Sequence, residues 1–202
     1  MKILATADLH GFQYRLNLLL KNIDIYQPEL VILCGDLTQF GPGDVAKQFL
    51  DQIPVQTLAI PGNIDSQDVS EAINASRATN MDMKRIEKNN IPFVGISGVN
   101  HYNIEQALTK KTPKIDRQTI LLSHVPPFGF QDKVFLGMHS GSKELRTVVD
   151  TYKPRLVLCG HIHEDPGCTV TKYTIVVNCS MGKRGEGALI TINSSIDVKM
   201  LE

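Results

Sequence analysis

The sequence predicts an α/β fold, and three observations carry this prediction. Short apolar runs rich in β-branched residues are typical of strands, and they recur at residues 2–7, 30–34, 55–60, 91–96, 119–123, 155–159, 174–177 and 187–192. Amphipathic patterns between some of these runs predict helices over 14–26, 43–52 and 142–152. The chain after residue 155 carries mostly strand patterns. We therefore expect parallel strands covered by helices, followed by directly paired strands, an arrangement that two packed sheets would accommodate.

The predicted helices each place apolar residues on one face. In the first helix these residues are Leu16, Leu19, Leu20 and Ile23. In the last helix they are Leu145, Val148, Val149 and Tyr152, and Ser142 precedes them as a candidate N-cap. The least regular part of the chain is segment 125–141, which contains two prolines, three glycines and phenylalanines. A connection of this length is more often functional than neutral, so we expect it to form a lid over a site.

Composition excludes several classes of protein. The 202 residues include 21 Lys and Arg against 21 Asp and Glu, and 42% of them are hydrophobic. Zero net charge argues against a large electrostatic footprint for nucleic acid, and the apolar content argues against disorder. We find no internal repeat and no linker, so one domain over residues 1–202 is expected. The sequence leaves the oligomeric state open, a homo-oligomer included.

Cysteine usage and hydropathy predict a cytoplasmic location. The cysteines are Cys34, Cys159, Cys168 and Cys179. They are too few for a disulfide framework and include no C-x-x-C pair, which indicates a reducing compartment. The first apolar stretch is interrupted by Asp8 and is too short for a signal peptide. No apolar run approaches the roughly 18 residues of a membrane span, so no membrane association is expected.

Polar residues with metal-binding side chains stand directly after several predicted strands. They are Asp8, His10, Asp36, Asn63, His124, His161 and His163. Because the carboxyl ends of strands in α/β sheets converge on one crevice, we expect these side chains to meet. Two carboxylates, one amide oxygen and four imidazoles suit divalent transition metals. Seven ligands are too many for one catalytic ion, but they divide into two sets of four if one carboxylate bridges, which is an arrangement used to hydrolyse phosphate esters.

Five motifs in this order resemble those of the calcineurin-like metallophosphoesterases, and in particular the small prokaryotic phosphodiesterases. They are Asp8-x-His10, Gly35-Asp36, Gly62-Asn63, the strand-end His124 and Gly160-His161-x-His163. Each motif alone is weak, but five in order at strand ends form a strong combined signal. The resemblance implies a four-layer αββα sandwich, in which two mixed β-sheets meet face to face and helices cover each.

The resemblance also implies a set of roles. The first metal would be held by Asp8, His10, Asp36 and His163. The second would be held by Asp36, Asn63, His124 and His161, with Asp36 as the bridge. Two divalent ions are implied, and manganese, iron, zinc and nickel are all compatible with these ligands. The implied reaction is hydrolysis of a small phosphate ester by a metal-bridging hydroxide, with Asp36, Asn63, His124 and His139 as the catalytic candidates.

One position departs from the family pattern. The third motif usually continues with a histidine beside the phosphate, and this chain has Ile64 followed by Asp65. The change removes a proton donor and leaves the metal ligands in place. General acid catalysis by such a donor typically contributes roughly 10²- to 10⁴-fold to the reaction rate. Related phosphodiesterases also lack that histidine, which favours a diester substrate. We interpret Asp65 as a helix cap or a support for the ligands.

Several alternative interpretations stay open at this point. His139 could contact phosphate or only shape the turn before the last helix, and His101 has no motif around it. Cys159, His161, His163 and Cys168 could form a structural zinc site, although their spacing does not match the usual patterns. Short basic clusters, at 110–114 and 183–184, are typical of a solvated face. At the level of the whole protein, the alternatives are a non-catalytic scaffold with the same fold and a nuclease.

Overall fold

The computed structural model describes residues 1–97, 114–182 and 185–202, and these residues form two six-stranded sheets. In chain order the strands are β1 (Lys2–Thr6), β2 (Leu30–Cys34), β3 (Thr57–Ile60), β4 (Thr79–Asn80), β5 (Arg85–Lys88), β6 (Ile91–Ile96), β7 (Ile120–Ser123), β8 (Leu156–Cys159), β9 (Gly167–Val170), β10 (Ile175–Asn178), β11 (Gly187–Ile192) and β12 (Ile196–Leu201). The helices are α1 (Gln13–Tyr26), α2 (Gly43–Gln52), α3 (Gln67–Asn74) and α4 (Lys143–Tyr152), with a short 3₁₀ helix at Phe135–Gly137.

Both sheets combine parallel and antiparallel strands. The first sheet has the order β12-β11-β1-β2-β3-β4, and β1 to β4 run parallel while β11 and β12 pair antiparallel. The second has the order β5-β6-β7-β8-β10-β9, with parallel pairing from β6 to β10 and antiparallel edges. Parallel strands of one sheet end at the same edge, so the loops that follow them are brought together.

Apolar side chains fill three layers of the molecule. Alternate residues of β1 and β2 separate into two clusters, with Ile3 and Ile32 between the sheets and Leu4 and Val31 against α1 and α2. A third cluster joins the outer face of the second sheet to α4. Because the central strands are buried on both faces, they appear in the sequence as continuous apolar runs. The predicted αββα sandwich of two mixed sheets is confirmed.

Local sequence explains where the helices begin and end. Ser142 caps α4, since its hydroxyl accepts a hydrogen bond from the Leu145 N–H at 3.0 Å. The chain leaves α1 through Gln27 and leaves α4 through Lys153, and both residues adopt the left-handed conformation. The predicted helices at 14–26, 43–52 and 142–152 agree with α1, α2 and α4 to within one residue.

Among the described residues, the sequence analysis missed α3, β4, β5, β9, β12 and the short 3₁₀ helix. Strand β4 has two residues. Strands β5 and β9 form the two opposite edges of the second sheet, and their side chains are half-exposed. Short or half-exposed strands carry little apolar signal, whereas the central strands carry a strong one. In the described part of the chain, no helix is long and apolar enough to cross a membrane.

Candidate metal centre

Five loops bring the seven predicted ligands to one edge of the sandwich. These residues are Asp8 and His10 after β1, Asp36 after β2, Asn63 after β3, His124 after β7, and His161 and His163 after β8. Backbone hydrogen bonds join the loops, for example from Asp8 N to Gly35 O at 3.0 Å and from Gly160 N to His124 O at 2.9 Å. The first and second sheets therefore contribute to the same centre.

The backbone turns sharply at four of these residues. Asp8, His10, Asp36 and His161 have φ angles of 65°, 52°, 51° and 68°. Left-handed conformations are uncommon for residues other than glycine and concentrate at functional sites. They redirect the chain directly after each strand, so that the side chains face one another instead of alternating across the sheet.

Two motif glycines are required by the close approach of the carboxylates. A Cβ atom at Gly62 would lie 2.0 Å from Asp36 Oδ1, and one at Gly160 would lie 2.9 Å from Asp8 Oδ2 and 2.3 Å from Ala7 Cβ. Any other residue at either position would displace a buried aspartate. The Gly-Asn and Gly-His motifs therefore pair a ligand candidate with the space that the neighbouring carboxylate needs.

One half of the centre is formed by Asp8, His10 and His163. His10 Nε2 lies 3.2 Å from His163 Nε2, and His163 Nε2 lies 3.6 Å from Asp8 Oδ1. The potential ligand atoms of this trio all lie within 4.8 Å of one another. Asp8 is fully buried, and its carboxylate also accepts a hydrogen bond from His161 N at 3.1 Å.

The other half is built around Asp36 and His124. Asp36 Oδ2 lies 3.4 Å from His124 Nε2 and 4.0 Å from His10 Nε2, so this oxygen stands between the two halves. His124 Nε2 is also 2.7 Å from Asn63 Oδ1, and its ring packs edge-to-face against the His161 ring. The second nitrogen of His124, Nδ1, is 2.8 Å from the carbonyl oxygen of Cys34, which fixes the ring orientation.

The charges within the centre shift the pKa values of its members. Burial alone would raise the pKa of Asp8, but the hydrogen bond with His163 and the charges of His124 and His163 lower it to about 2. Burial alone would lower the pKa of His124, but its contact with the Asp36 carboxylate raises it to about 9. Burial lowers the pKa of His10, and the Asp8 carboxylate raises that of His163. The Asp8 carboxylate is thus held ionised.

The donor set fits divalent metal ions. Two imidazole nitrogens face each other at 3.2 Å beside carboxylate oxygens, which places several lone pairs in one small volume. His10 Nδ1 is buried without a hydrogen-bond partner among the described residues. Mixed oxygen and nitrogen ligands of this kind suit manganese, iron, zinc and nickel. A bound cation would be ligated by these groups, in place of the contacts that they make with one another.

Asp65 supports the centre through the loops that carry the ligand candidates. Its buried carboxylate accepts hydrogen bonds from Leu37 N, Thr38 N, Thr38 Oγ1 and Gly62 N, at distances between 2.9 and 3.0 Å. It thereby ties the loop after β2 to the loop after β3. Ile64, the neighbouring residue, donates its N–H to Asp36 Oδ1 at 3.2 Å and keeps its side chain partly exposed.

The predicted lid, segment 125–141, holds His139 in a fixed orientation. His139 Nδ1 lies 2.6 Å from Asp132 Oδ1, and Asp132 is buried while the histidine is exposed. Asp132 Oδ2 accepts the N–H groups of Gly129 and Gly141 at 2.9 and 3.0 Å. A cleft of about 420 Å³ lies alongside and is lined in part by Val125, the residue after His124, and by His139.

Sequence reasoning missed two polar residues that position these loops, Asp132 and Asn178. The side-chain amide of Asn178 is fully buried and donates to Ile162 O at 2.7 Å, Asp165 O at 3.0 Å and Gln131 O at 3.3 Å. It joins segment 125–141 to the loop that carries His161 and His163. Asn178 is the last residue of β10, so the strand-end rule that identified Asp36 would also have identified it.

Other candidates of the sequence analysis lie apart from the centre. Cys159 is fully buried, and its thiol donates to Val177 O at 3.3 Å. Among the described residues, the groups of three potential ligands contain only aspartate and histidine. His101 and the basic pairs at 110–111 and 183–184 fall outside the described residues.

Comparison with known proteins agrees with this geometry. A model of the family described as calcineurin-like phosphoesterase matches residues 1–165, a range that contains all seven predicted ligands. The chain belongs to this family. An uncharacterized protein of Methanocaldococcus jannaschii is 34% identical over 197 residues, covering 89% of this chain and 88% of its own. This chain and that relative therefore match over most of their lengths.

Solved structures share the fold at low sequence identity. A dimetal phosphatase from Danio rerio superimposes with a TM-score of 0.63 at 13% identity, covering 99% of this chain and 95% of its own. A structure described as a novel archaeal phosphodiesterase gives a TM-score of 0.61 at 15% identity, with full coverage of both chains. At these identities the likeness shows the calcineurin-like fold alone.

Proposed function

We propose that this phosphoesterase is a dinuclear enzyme that hydrolyses a small phosphate ester, with a diester as its preferred substrate. The observation that carries the proposal is the position of Asp36 Oδ2, which lies 4.0 Å from His10 Nε2 and 3.4 Å from His124 Nε2. A carboxylate oxygen between two imidazoles from different sheets is placed to be shared by two ions. We extend the proposal to a reducing, cytoplasmic location, because the four cysteines are all free.

The ligands divide between two metals in this proposal. The first set is Asp8, His10, Asp36 and His163, and the second is Asp36, Asn63, His124 and His161. When bound, two such ions activate water and neutralise charge on the phosphoryl oxygens. The chain holds the imidazoles in the correct orientation through bonds such as the one between His124 Nδ1 and Cys34 O.

His139 binds a phosphoryl oxygen of the substrate in this proposal. Its Nδ1 is engaged by Asp132, so Nε2 is the ring nitrogen that faces a substrate. The buried Asp132 carboxylate fixes the orientation of the ring through its 2.6 Å contact with Nδ1. The cleft beside His139 begins one residue after His124 and provides the space for an ester substituent.

The preference for a diester rests on Ile64. The family histidine at this position is absent, and the phosphate of a diester carries one negative charge fewer than that of a monoester. It therefore requires less charge compensation beside the metals. The likeness in fold to an archaeal phosphodiesterase supports the same choice.

Metal counting combined with turnover tests this proposal. We expect the wild-type chain, supplied with manganese, to bind two ions and to hydrolyse bis(p-nitrophenyl) phosphate faster than p-nitrophenyl phosphate. Asp36→Ala should lose both ions and all activity, because both sets share Asp36, whereas His163→Ala should chiefly weaken the first ion. Asp197→Ala, which removes an exposed aspartate on β12, is the matched control and should change neither quantity.

Two results would contradict the proposal. Two retained ions in Asp36→Ala would refute the bridge, and wild-type protein that binds two ions without hydrolysing either ester would favour a scaffold.

His139→Ala in the same assay should keep both ions and lower turnover at least tenfold, a loss of about 1.4 kcal/mol of transition-state stabilisation. Unchanged turnover would assign His139 a structural role only.

A further inference from the structure

Two aromatic side chains and one arginine form a surface feature beside the metal centre, which we call the aromatic shelf. It consists of Phe12, Tyr14 and Arg15, at the start of α1. The Phe12 and Tyr14 rings stack with centroids 5.6 Å apart and planes inclined by 27°. The Arg15 guanidinium carbon lies 5.2 Å from the Phe12 centroid and 5.6 Å from the Tyr14 centroid. Its Nε also donates to the Tyr14 hydroxyl at 3.0 Å.

The shelf is continuous with the metal centre. The Phe12 ring packs edge-to-face against the ring of His10, with centroids 6.4 Å apart. Arg15 donates a hydrogen bond to the carbonyl oxygen of Asp8. Segment 8–15 therefore carries two predicted metal ligands, followed directly by the two rings and the cation of the shelf. A group that is attached to a phosphate at the metals could extend directly onto it.

The rings of the shelf are exposed to solvent. Phe12 is 40% exposed and Tyr14 is 61% exposed, and neither belongs to the apolar clusters of the described residues. Leaving a stacked pair of aromatic faces in water forgoes the free energy that their burial would provide. A planar ring placed on them would recover it, since stacking on aromatic side chains is tolerant of ring identity and is strengthened by a neighbouring arginine.

We propose that the shelf binds a planar aromatic ring carried by the non-leaving ester group of the substrate. This inference rests on the proposed function, because it places the phosphate at the metals. Phe12 and Tyr14 stack with the ring, and Arg15 holds the two side chains in position through its contacts with both. The shelf is thus a determinant of specificity. A nucleobase and a simple aryl group are the two kinds of ligand that would supply the planar ring.

Three substrates with one leaving group separate ring binding from chemistry. They are thymidine 5′-(p-nitrophenyl phosphate), phenyl p-nitrophenyl phosphate and methyl p-nitrophenyl phosphate, and all release nitrophenolate. Intrinsic reactivity differs among the three, but it is the same for every variant of the protein. A change in the ratio of kcat/KM values between variants therefore reports contact with the non-leaving group.

Tyr14→Leu is the decisive variant, because Tyr14 does not touch a metal ligand in the described contacts. We expect it to lower the kcat/KM ratio of the thymidine ester to the methyl ester about tenfold, within the range seen when a stacking side chain is removed. Tyr14→Phe keeps the ring and should retain most of the ratio. Tyr152→Leu removes an exposed tyrosine from α4 and is the matched control, with an unchanged ratio. A parallel loss for the phenyl ester identifies any planar ring as the ligand, whereas a loss for thymidine alone restricts it to a nucleobase.

The inference is overturned if Tyr14→Leu leaves the ratio unchanged or lowers all three esters equally. Hydrolysis of none of the esters by the wild-type protein would instead be a failure of the proposed function. A binding measurement then still decides the role of the shelf. Titration calorimetry with manganese-loaded protein should show thymidine 5′-phosphate binding about tenfold more weakly to Tyr14→Leu than to wild type, while methyl phosphate binds both equally. Equal affinities of thymidine 5′-phosphate for the two proteins would reject the shelf as a ring site.

Discussion

Ile64 is the residue at which this chain departs most clearly from its family. Its backbone N–H helps to hold Asp36, so the position still contributes to the centre through the main chain. Its side chain is partly exposed, which leaves space and water for a polar replacement. Asp65 could not orient a histidine there, because its carboxylate already accepts four hydrogen bonds from the loops after β2 and β3. A histidine at this position would depend on water for its hydrogen bonds.

Ile64→His should restore a proton donor beside the phosphate. We expect hydrolysis of esters with poor leaving groups to rise roughly tenfold or more, within the usual span of acid catalysis, while nitrophenyl esters change little. The measurement is kcat/KM for a series of phosphates of graded leaving-group pKa, whose slope should become shallower. Ile64→Gln is the control, since an amide fills similar space without acting as an acid. A variant that folds, keeps both metals and retains the original slope would mean that Ile64 is not a lost acid.

At the scale of elements, the segment between β7 and α4 is organised by one buried carboxylate. Asp132 accepts two backbone N–H groups and faces His139, and Asn178 joins the same segment to the loop after β8. Burial alone would raise the pKa of Asp132, but the hydrogen bonds from His139, Gly129 and Gly141 lower it. The ionised form therefore stabilises the folded segment.

The lowered pKa of Asp132 gives a defined dependence of stability on pH. The contribution is fully present above the unfolded-state pKa of about 3.9 and is lost as the pH falls through the lower folded-state value. We expect Asp132→Asn to reduce the free energy of unfolding by about 1–3 kcal/mol at pH 6, because it leaves a buried donor unsatisfied. Urea titrations of both proteins between pH 2 and 7 should show this difference shrinking below pH 4.

Asp24→Asn, at an exposed position on α1, is the control for that series and should stay within about 0.5 kcal/mol of wild type at every pH. A difference for Asp132→Asn that remains constant down to pH 2 would contradict a stabilising charge. It would assign the whole effect to the altered shape of the side chain.

The elements differ in how far the sequence could predict them, and the reason is physical. Strands such as β2 and β6 are buried on both faces, and their bounds agree with the sequence prediction at both ends. Strand β5 is a half-exposed edge strand, so its conformation depends on pairing with β6 more than on an apolar pattern in its own sequence. The strand-end ligand candidates were predictable because parallel topology brings strand ends together. The Asp132–His139 contact was not, because it depends on the path of a long loop.

At the scale of the whole molecule, the candidate metal centre lies where the two sheets meet. Ala7, directly after β1, exchanges hydrogen bonds with the chain after β10, through Cys179 O and Met181 N. Asp8, Asp36 and Asn63 come from the first sheet, whereas His124, His161 and His163 come from the second. Two ions shared by these residues would link the sheets at the edge where buried carboxylates are concentrated.

Metal binding should therefore stabilise the entire fold. A ligand that binds the folded state alone raises the free energy of unfolding by about 2.7 kcal/mol at a concentration one hundred times its Kd. We expect manganese to raise the Tm of the chelator-treated protein, and the rise should be much smaller in Asp36→Ala, which loses the carboxylate placed between the two halves. Asp197→Ala should retain the full rise. The measurement is thermal unfolding at a series of manganese concentrations, followed by a probe of secondary structure and a probe of tertiary packing. If manganese binds to two sites per chain and the Tm does not increase, the ions are not linking the sheets, and the centre binds metal equally well when the sandwich is open.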